Sequence, residues 1–231
     1  LDLSGKPVIA RMVDRIRQCE MIDEIVLATS TNEQDDELER FATEYGISCF
    51  RGHEDDVVRR IHDAAAEFDL DYIVNVTADC PLVDPMYIDR TVEAFHQTDA
   101  DLITSFDLPH GTFCYGIKPE ALTKVLEIKD TDETEVWGRY FQDTDCFDVF
   151  SLPIDEQHQR SMRLTLDYPE DYEVLSEIFQ NLLGDGSNFT LDDIIRFYGE
   201  NPDLMALNQH CGDTSRQAFQ VSAMMPSLDQ K

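Results

Sequence analysis

The stretch Tyr72-Ile73-Val74-Asn75-Val76-Thr77-Ala78-Asp79-Cys80-Pro81-Leu82-Val83-Asp84-Pro85 decides the fold, because a short apolar run ends on a carboxylate and then on proline. Tyr72 to Val76 is β-branched and aromatic, the composition of an interior strand in a parallel sheet covered on both faces. Pro81 and Pro85 stop the ladder and favour the start of a helix. In open sheets of this kind ligands collect beyond the carboxyl ends of the strands, which is where Asp79 falls. Spacing alone leaves two roles open for Asp79: a ligand at the sheet edge, or a cap on the turn into the next helix.

Upstream of this stretch the chain alternates strand and helix patterns. Ile9, Met12, Val13 and Ile16 recur at helical spacing after Pro7, and Ile25 to Ala28 reads as a strand. Leu38, Phe41, Ala42 and Tyr45 form a second helical stripe closed by Gly46, a natural C-cap. Ile47 to Phe50 is the next strand, ending at Arg51-Gly52, and Val57, Ile61, Ala65 and Phe68 mark a third helix. Such alternation predicts an α/β, Rossmann-like fold: a mostly parallel sheet with right-handed crossovers and helices on both faces.

Downstream the pattern loosens. Helices are expected near 86–97, from Pro119, around 133–142 and after Pro169, and strands at 101–105, 114–117, 147–152 and 162–166. The last of these strands also ends on an acid, Asp167, followed by Pro169. Thr190 with Asp193 resembles a capping box for a final helix. Periodicity fades beyond Asn201, so residues 1–200 read as one domain and 201–231 as a peripheral tail or linker. His158, in a polar stretch, reads as a solvated loop residue.

Composition narrows the function classes. The chain of 231 residues carries 30 Asp and 18 Glu against 13 Arg and 5 Lys, a formal charge of −30. Such a surface repels nucleic acid and anionic membranes, and the Asp-heavy, Lys-poor balance suits a salt-rich habitat. No apolar run approaches the roughly 18 residues that span a bilayer, and no export leader is present, so the expectation is a soluble, cytoplasmic protein. The six cysteines are scattered singly, without metal-site or dithiol spacing, and read as reduced thiols.

Two strand-end carboxylates, Asp79 and Asp167, could meet above one sheet and share a hard cation. Mg2+ suits two lone Asp side chains, since it keeps several waters and is commonly shared with substrate phosphates. For Asp167, as for Asp79, a helix-cap role is the open alternative.

Together with Gly5-Lys6-Pro7, Asp23-Glu24-Ile25-Val26-Leu27-Ala28-Thr29 and Arg51-Gly52-His53-Glu54-Asp55-Asp56-Val57, the segments Asn75 to Leu82 and Arg163-Leu164-Thr165-Leu166-Asp167-Tyr168-Pro169-Glu170-Asp171 resemble the sugar-activating cytidylyltransferases, especially the spore-coat polysaccharide type. The similarity spans about residues 1–200. It implies transfer of CMP from CTP to a sugar or sugar-acid acceptor, with pyrophosphate released and Mg2+ as cofactor. It implies that Asp79 and Asp167 hold the metal, that Arg51 contacts the cytosine, and that Thr77 stands where several relatives carry a nucleotide-side Gln. His110, Arg139 and Arg163 are weaker candidates for an anionic acceptor. The segment Glu133 to Phe141, with the only Trp, could stack on a sugar ring or bind a partner subunit, and a homodimer is expected.

The family's glycine-rich, basic phosphate loop and the strand before it are not found ahead of Leu1, so those groups are expected upstream of this sequence. Two further readings stay open at this stage. A glycosyltransferase would show a close Asp-x-Asp pair, whereas Asp79 is followed by Cys80-Pro81 and its next acid is Asp84. A non-catalytic nucleotide-binding module is the other.

Overall fold

The computed structural model describes residues 1–142, 146–184 and 188–212. A two-stranded antiparallel ladder, β1 (Asp2–Leu3) with β2 (Lys6–Pro7), leads into helix α1 (Val8–Ile16). Strand β3 (Val26–Ser30), helix α2 (Asp36–Tyr45), strand β4 (Ser48–Gly52), helix α3 (Val57–Glu67) and strand β5 (Ile73–Asn75) follow, close to the expected alternation. Gly46 closes α2 in the left-handed conformation, φ +65°. Then come α4 (Pro85–Thr98), β6 (Leu102–Thr104), β7 (Tyr115–Ile117), α5 (Pro119–Ile128), β8 (Val149–Ser151), α6 (Pro169–Leu182), α7 (Leu191–Glu200) and α8 (Pro202–Asn208).

The fold is α/β with helices on both sides of the sheet, and the strand directions are mixed. β3 and β4 pair in parallel as one ladder. The second ladder runs β5-β7-β6-β8, with β7 antiparallel to both neighbours and β6 parallel to β8. β5, β6 and β8 therefore point the same way. Their carboxyl ends share one edge, together with the start of β7 and the ten-residue loop that joins β6 to β7.

Register sorts the side chains onto two faces. Ile73, Ile117 and Leu102 are directly opposite one another in the ladder and bury against Val58, Ile61 and Ala65 of α3 and Leu122 and Val125 of α5. The alternate residues Val74 and Ile103 face the other way, towards clusters that contain Met12 of α1, Ile88 of α4 and Leu175 and Ile178 of α6. Gly116, opposite Val74, has no side chain because a Cβ there would fall 1.9 Å from the Tyr72 hydroxyl and 2.6 Å from Thr91 of α4. Burial of each such Leu or Ile contributes about 1.5–3 kcal/mol.

Three expectations are corrected. Residues 162–166 do not form a strand; an extended segment makes a single parallel bridge, Arg163 to His110. The helix expected at 133–142 shrinks to a 3-10 stretch, Trp137–Gln142, where Trp137, Tyr140 and Phe141 all turn into the core and Gly138 weakens an α-helix. His158 is not solvated: 2% exposed, it bridges the Tyr87 hydroxyl at 2.7 Å and Asp192 at 3.0 Å. Of the expected tail, residues 202–208 form α8, which packs on α6 and α7, and 213–231 lie outside the described residues. No disulfide joins the six cysteines among the described residues. Among the described residues no helix is long and apolar enough to cross a membrane.

Gly111 controls how the β6–β7 loop meets the segment before α6. It sits at φ +97°, and a Cβ would lie 2.3–2.5 Å from the backbone of Leu164 and Thr165. Left-handed strain and a backbone clash then act together. Gly111→Ala is expected to lower the unfolding free energy by about 3 kcal/mol, read as a drop in the urea midpoint at unchanged slope.

Candidate metal and nucleotide site

The segments that carry the two acids are joined through the backbone. His110 donates its amide to the Met162 carbonyl at 3.1 Å, and its carbonyl accepts from the Leu164 amide at 2.6 Å. Two residues on, the Leu166 amide donates to the Asp79 carbonyl at 2.9 Å. The Thr165 hydroxyl adds a contact to the Asp79 carboxylate, Oγ1 to Oδ2 at 3.1 Å. The turn after β5, the β6–β7 loop and the segment before α6 thus lie side by side at the carboxyl edge of the sheet, with Asp79 and Asp167 at its rim.

Neither acid caps a helix. The N-cap of α4 is Asp84, whose Oδ1 accepts from the amides of Met86 at 3.1 Å and Tyr87 at 3.4 Å, with Pro85 at the first helical position. At α6 the duty falls to Asp171, whose Oδ2 accepts from the amides of Asp167 and Tyr168, each at 3.0 Å. Pro169 again occupies the first turn. Because Asp84 and Asp171 satisfy the helix starts, Asp79 and Asp167 are free of capping duty. From the sequence the cap role stands open at Asp79 and Asp167, and neither Asp84 nor Asp171 is singled out; the signals for them are an Asp directly before Pro85 and an acid two residues after Pro169.

Asp79 is half-buried. Its Oδ1 accepts a long contact from the Cys80 thiol at 3.5 Å. Burial and the neighbouring Asp79 charge push the Cys80 thiol well above its usual pKa, so Cys80 stays protonated and is no nucleophile. Thr77 is exposed in the same turn, its hydroxyl 3.3 Å from the Cys80 sulfur. The Asp167 side chain is 33% exposed, and its Oδ2 accepts from Arg163 at 2.7 Å. Its Oδ1 carries no hydrogen bond among the described residues.

Arg163 is held inward. Its Nε and Nη2 donate to the two oxygens of Asp171, both at 2.9 Å, and Nη1 donates to the Gly212 carbonyl. Asp171 is fully buried. Burial would push its carboxyl up, but hydrogen bonds from Arg163, the Asp167 amide, Asn208 and the Tyr168 amide outweigh this and hold it below the usual range. His110 lies with its ring stacked on Phe113, centroids 5.7 Å apart.

The remaining two expected residues are not joined to this junction by any contact among the described residues. Arg51, at the end of β4, donates to Glu39 at 2.7 Å, Asp36 at 3.0 Å and the Asn32 carbonyl at 2.8 Å, tying β4 to α2. Arg139 stacks over Tyr140, 4.8 Å from the ring centroid, with Asp130 3.8 Å away. Trp137 is 6% exposed and packs edge-on against Tyr115 at 5.0 Å.

The donor set suits a hard, largely hydrated divalent cation. It supplies two carboxylates, one of them with an oxygen that carries no hydrogen bond among the described residues, on two segments fixed to each other by the main chain. No cluster of three or more His, Cys, Asp or Glu that could enclose a metal is found among the described residues, which leaves the other ligand positions to water and substrate oxygens.

Comparison with known proteins identifies the family. A cytidylyltransferase family profile matches residues 1–191, and the chain belongs to the cytidylyltransferase family, a group of nucleotidyltransferase enzymes. It is 26% identical over 213 residues to an uncharacterized protein of Methanocaldococcus jannaschii, covering 91% of this chain and 87% of that one. It is likewise 26% identical over 200 residues to the spore coat polysaccharide biosynthesis protein SpsF of Bacillus subtilis, covering 83% of each. A solved cytidylyltransferase from Leptospira borgpetersenii superposes with a TM-score of 0.81 at 26% identity, over 89% of this chain and 88% of that one. The fold is also shared, at a TM-score of 0.60 and 13% identity over 79% of this chain and 91% of the other, with a CMP:2-keto-3-deoxy-manno-octonic acid synthetase solved in complex with CTP. Membership sets aside the glycosyltransferase and the non-catalytic readings.

Asp84→Ala should lower stability by about 3 kcal/mol or more, because it removes the cap and leaves the buried Arg15 guanidinium, 3.9 Å away, without its carboxylate. Asp79→Asn should change it by less than about 0.5 kcal/mol, with chemical denaturation of both variants as the check. The Asp171 carboxyl, held low in the folded state, contributes stability that is fully present above the unfolded value of about 4 and lost as pH falls through the folded value. Thermal midpoints measured from pH 5 downwards should therefore fall more steeply for the wild type than for Asp171→Asn, which starts lower at neutral pH.

Proposed function

We propose that this protein transfers CMP from CTP to a sugar or sugar-acid acceptor with release of pyrophosphate, using Mg2+ held by Asp79 and Asp167. On this reading it works in the cytoplasm, as a homodimer, to supply activated precursors for surface polysaccharide. The observation that supports it most is the pairing of Asp79 with Asp167 on two backbone-linked segments, both acids being free of capping duty. The relatives point the same way: one is a spore coat polysaccharide biosynthesis protein, and one was solved with CTP.

The acceptor oxygen would attack the α-phosphorus as the bond to the departing pyrophosphate breaks on the opposite side, so catalysis is mainly positioning and charge neutralisation. When bound, Mg2+ supplies that neutralisation and orients the phosphate oxygens. The protein's own part is to hold two carboxylates at fixed separation. Thr165 restrains the Asp79 carboxylate, and Arg163 restrains that of Asp167. Thr77, exposed at the same turn, stands on the nucleotide side. A nucleotide role for Arg51 requires release of Asp36 or Glu39, both exposed partners whose pairing is worth little in water. Arg139 and His110 remain assigned to the acceptor side.

The chain incubated with Mg2+, each of the four nucleoside triphosphates and a panel of sugars and sugar acids should release pyrophosphate with CTP and one acceptor class. Turnover with ATP or GTP and none with CTP would overturn the base assignment. Asp79→Asn and Asp167→Asn should each cut kcat at least about a hundredfold, beyond the usual loss from an outer-sphere partner.

A further inference from the structure

We infer that Arg163, Asp171 and Asn208 form a positioning relay for Asp167, and that helix α8 is therefore part of the metal site although none of its residues reaches either acid. The inference rests on the proposed metal role of Asp79 and Asp167. It assigns Arg163 to Asp167 rather than to an acceptor.

The relay is continuous and buried. Asn208, 2% exposed at the end of α8, donates Nδ2 to the Arg163 carbonyl at 3.0 Å and to Asp171 Oδ1 at 2.8 Å. Asp171 grips the Arg163 guanidinium through both its oxygens and holds the Asp167 amide. Arg163 in turn donates to Asp167 Oδ2. The backbone and one carboxylate oxygen of Asp167 are thus both fixed, and Oδ1 carries no hydrogen bond among the described residues.

Charge gives this arrangement its purpose. A chain of formal charge −30 places Asp79, Asp167 and Asp171 around one junction, where unbalanced carboxylates would raise one another's pKa and drift apart. One buried guanidinium offsets part of that repulsion while its planar fork fixes direction. A lysine would supply the charge without the fork. The main-chain grip by Asn208 and by Gly212, whose carbonyl accepts from Arg163 Nη1 at 2.9 Å, keeps the fork from turning outward to solvent. Outer partners of this kind set a ligand's orientation and typically govern metal affinity by a factor of 10–100.

The test compares Mn2+ binding, followed by loss of the free-ion EPR signal, in the wild type and in Asn208→Ala, Asn208→Ser and Leu204→Ala, counting only the binding that Asp79→Asn removes. Leu204 is a buried core residue of the same helix and belongs to no polar network, so Leu204→Ala controls for mere loosening of α8. Asn208→Ala should bind Mn2+ about tenfold more weakly, with Asn208→Ser in between. Half-saturation by Mg2+ in turnover should shift to match, and kcat should recover at high Mg2+. Leu204→Ala should lose thermal stability yet stay within about twofold of wild-type affinity, a margin well short of the outer-partner effect. Wild-type affinity in both Asn208 variants, or an equal loss in Leu204→Ala, overturns the relay. Absence of any Asp79-dependent Mn2+ binding in the wild type overturns the metal reading itself, and the relay with it.

Discussion

A single main-chain hydrogen bond, from the Leu166 amide to the Asp79 carbonyl, joins the two halves of the candidate site. It extends the short ladder in which His110 pairs with the segment 162–164, and that ladder depends on Gly111 lying against Leu164 and Thr165 with no Cβ. Without this contact Asp79 would end one strand and Asp167 would precede a distant helix. With it, two residues far apart in sequence share a rim. Backbone bonds serve this purpose well, because the polar groups of a half-buried segment must be paired somewhere and a ladder pairs them in one register only.

The second constraint is a division of labour among four aspartates. Asp84 and Asp171 satisfy the exposed amides at the starts of α4 and α6, and Asp79 and Asp167 are thereby left over. An acid beside a helix start is stabilised by the dipole and tends to be consumed by it. Placing the cap a few residues further on in each case keeps the helix start satisfied and the earlier acid free of capping duty. Arg163 then balances the resulting charge from within the protein, as the chain, with 48 acids to 18 bases, has little positive charge to spare.

Much of this was legible in the sequence for identifiable reasons. Ile73-Val74-Asn75 is apolar and β-branched enough to be a core strand, Gly46 marks a C-cap, and the proline-led helices α4, α5 and α6 begin where Pro85, Pro119 and Pro169 place them. What was hidden depends on tertiary context. β7 looks like any short apolar strand, and nothing local tells it to run against β5 and β6. Residues 162–166 have strand composition but, among the described residues, make one β-bridge, at His110, and a further main-chain bond, from Leu166 to Asp79. His158 looks solvated until Tyr87 and Asp192 enclose it. Asn208 lies past the fading periodicity, and its importance comes from Arg163 and Asp171, 45 and 37 residues away.

The claim at the centre is that Asp79 and Asp167 face one bound cation. Fe2+ in place of Mg2+, with ascorbate and peroxide, generates hydroxyl radicals at the metal and cuts the nearest backbone. The account predicts that CTP-dependent cleavage falls in two places, at the turn around residues 77–80 and at the segment around 165–168, and that either Asp79→Asn or Asp167→Asn removes both cuts together. Cleavage at only one of them, or one cut surviving loss of the other acid, would contradict a shared site.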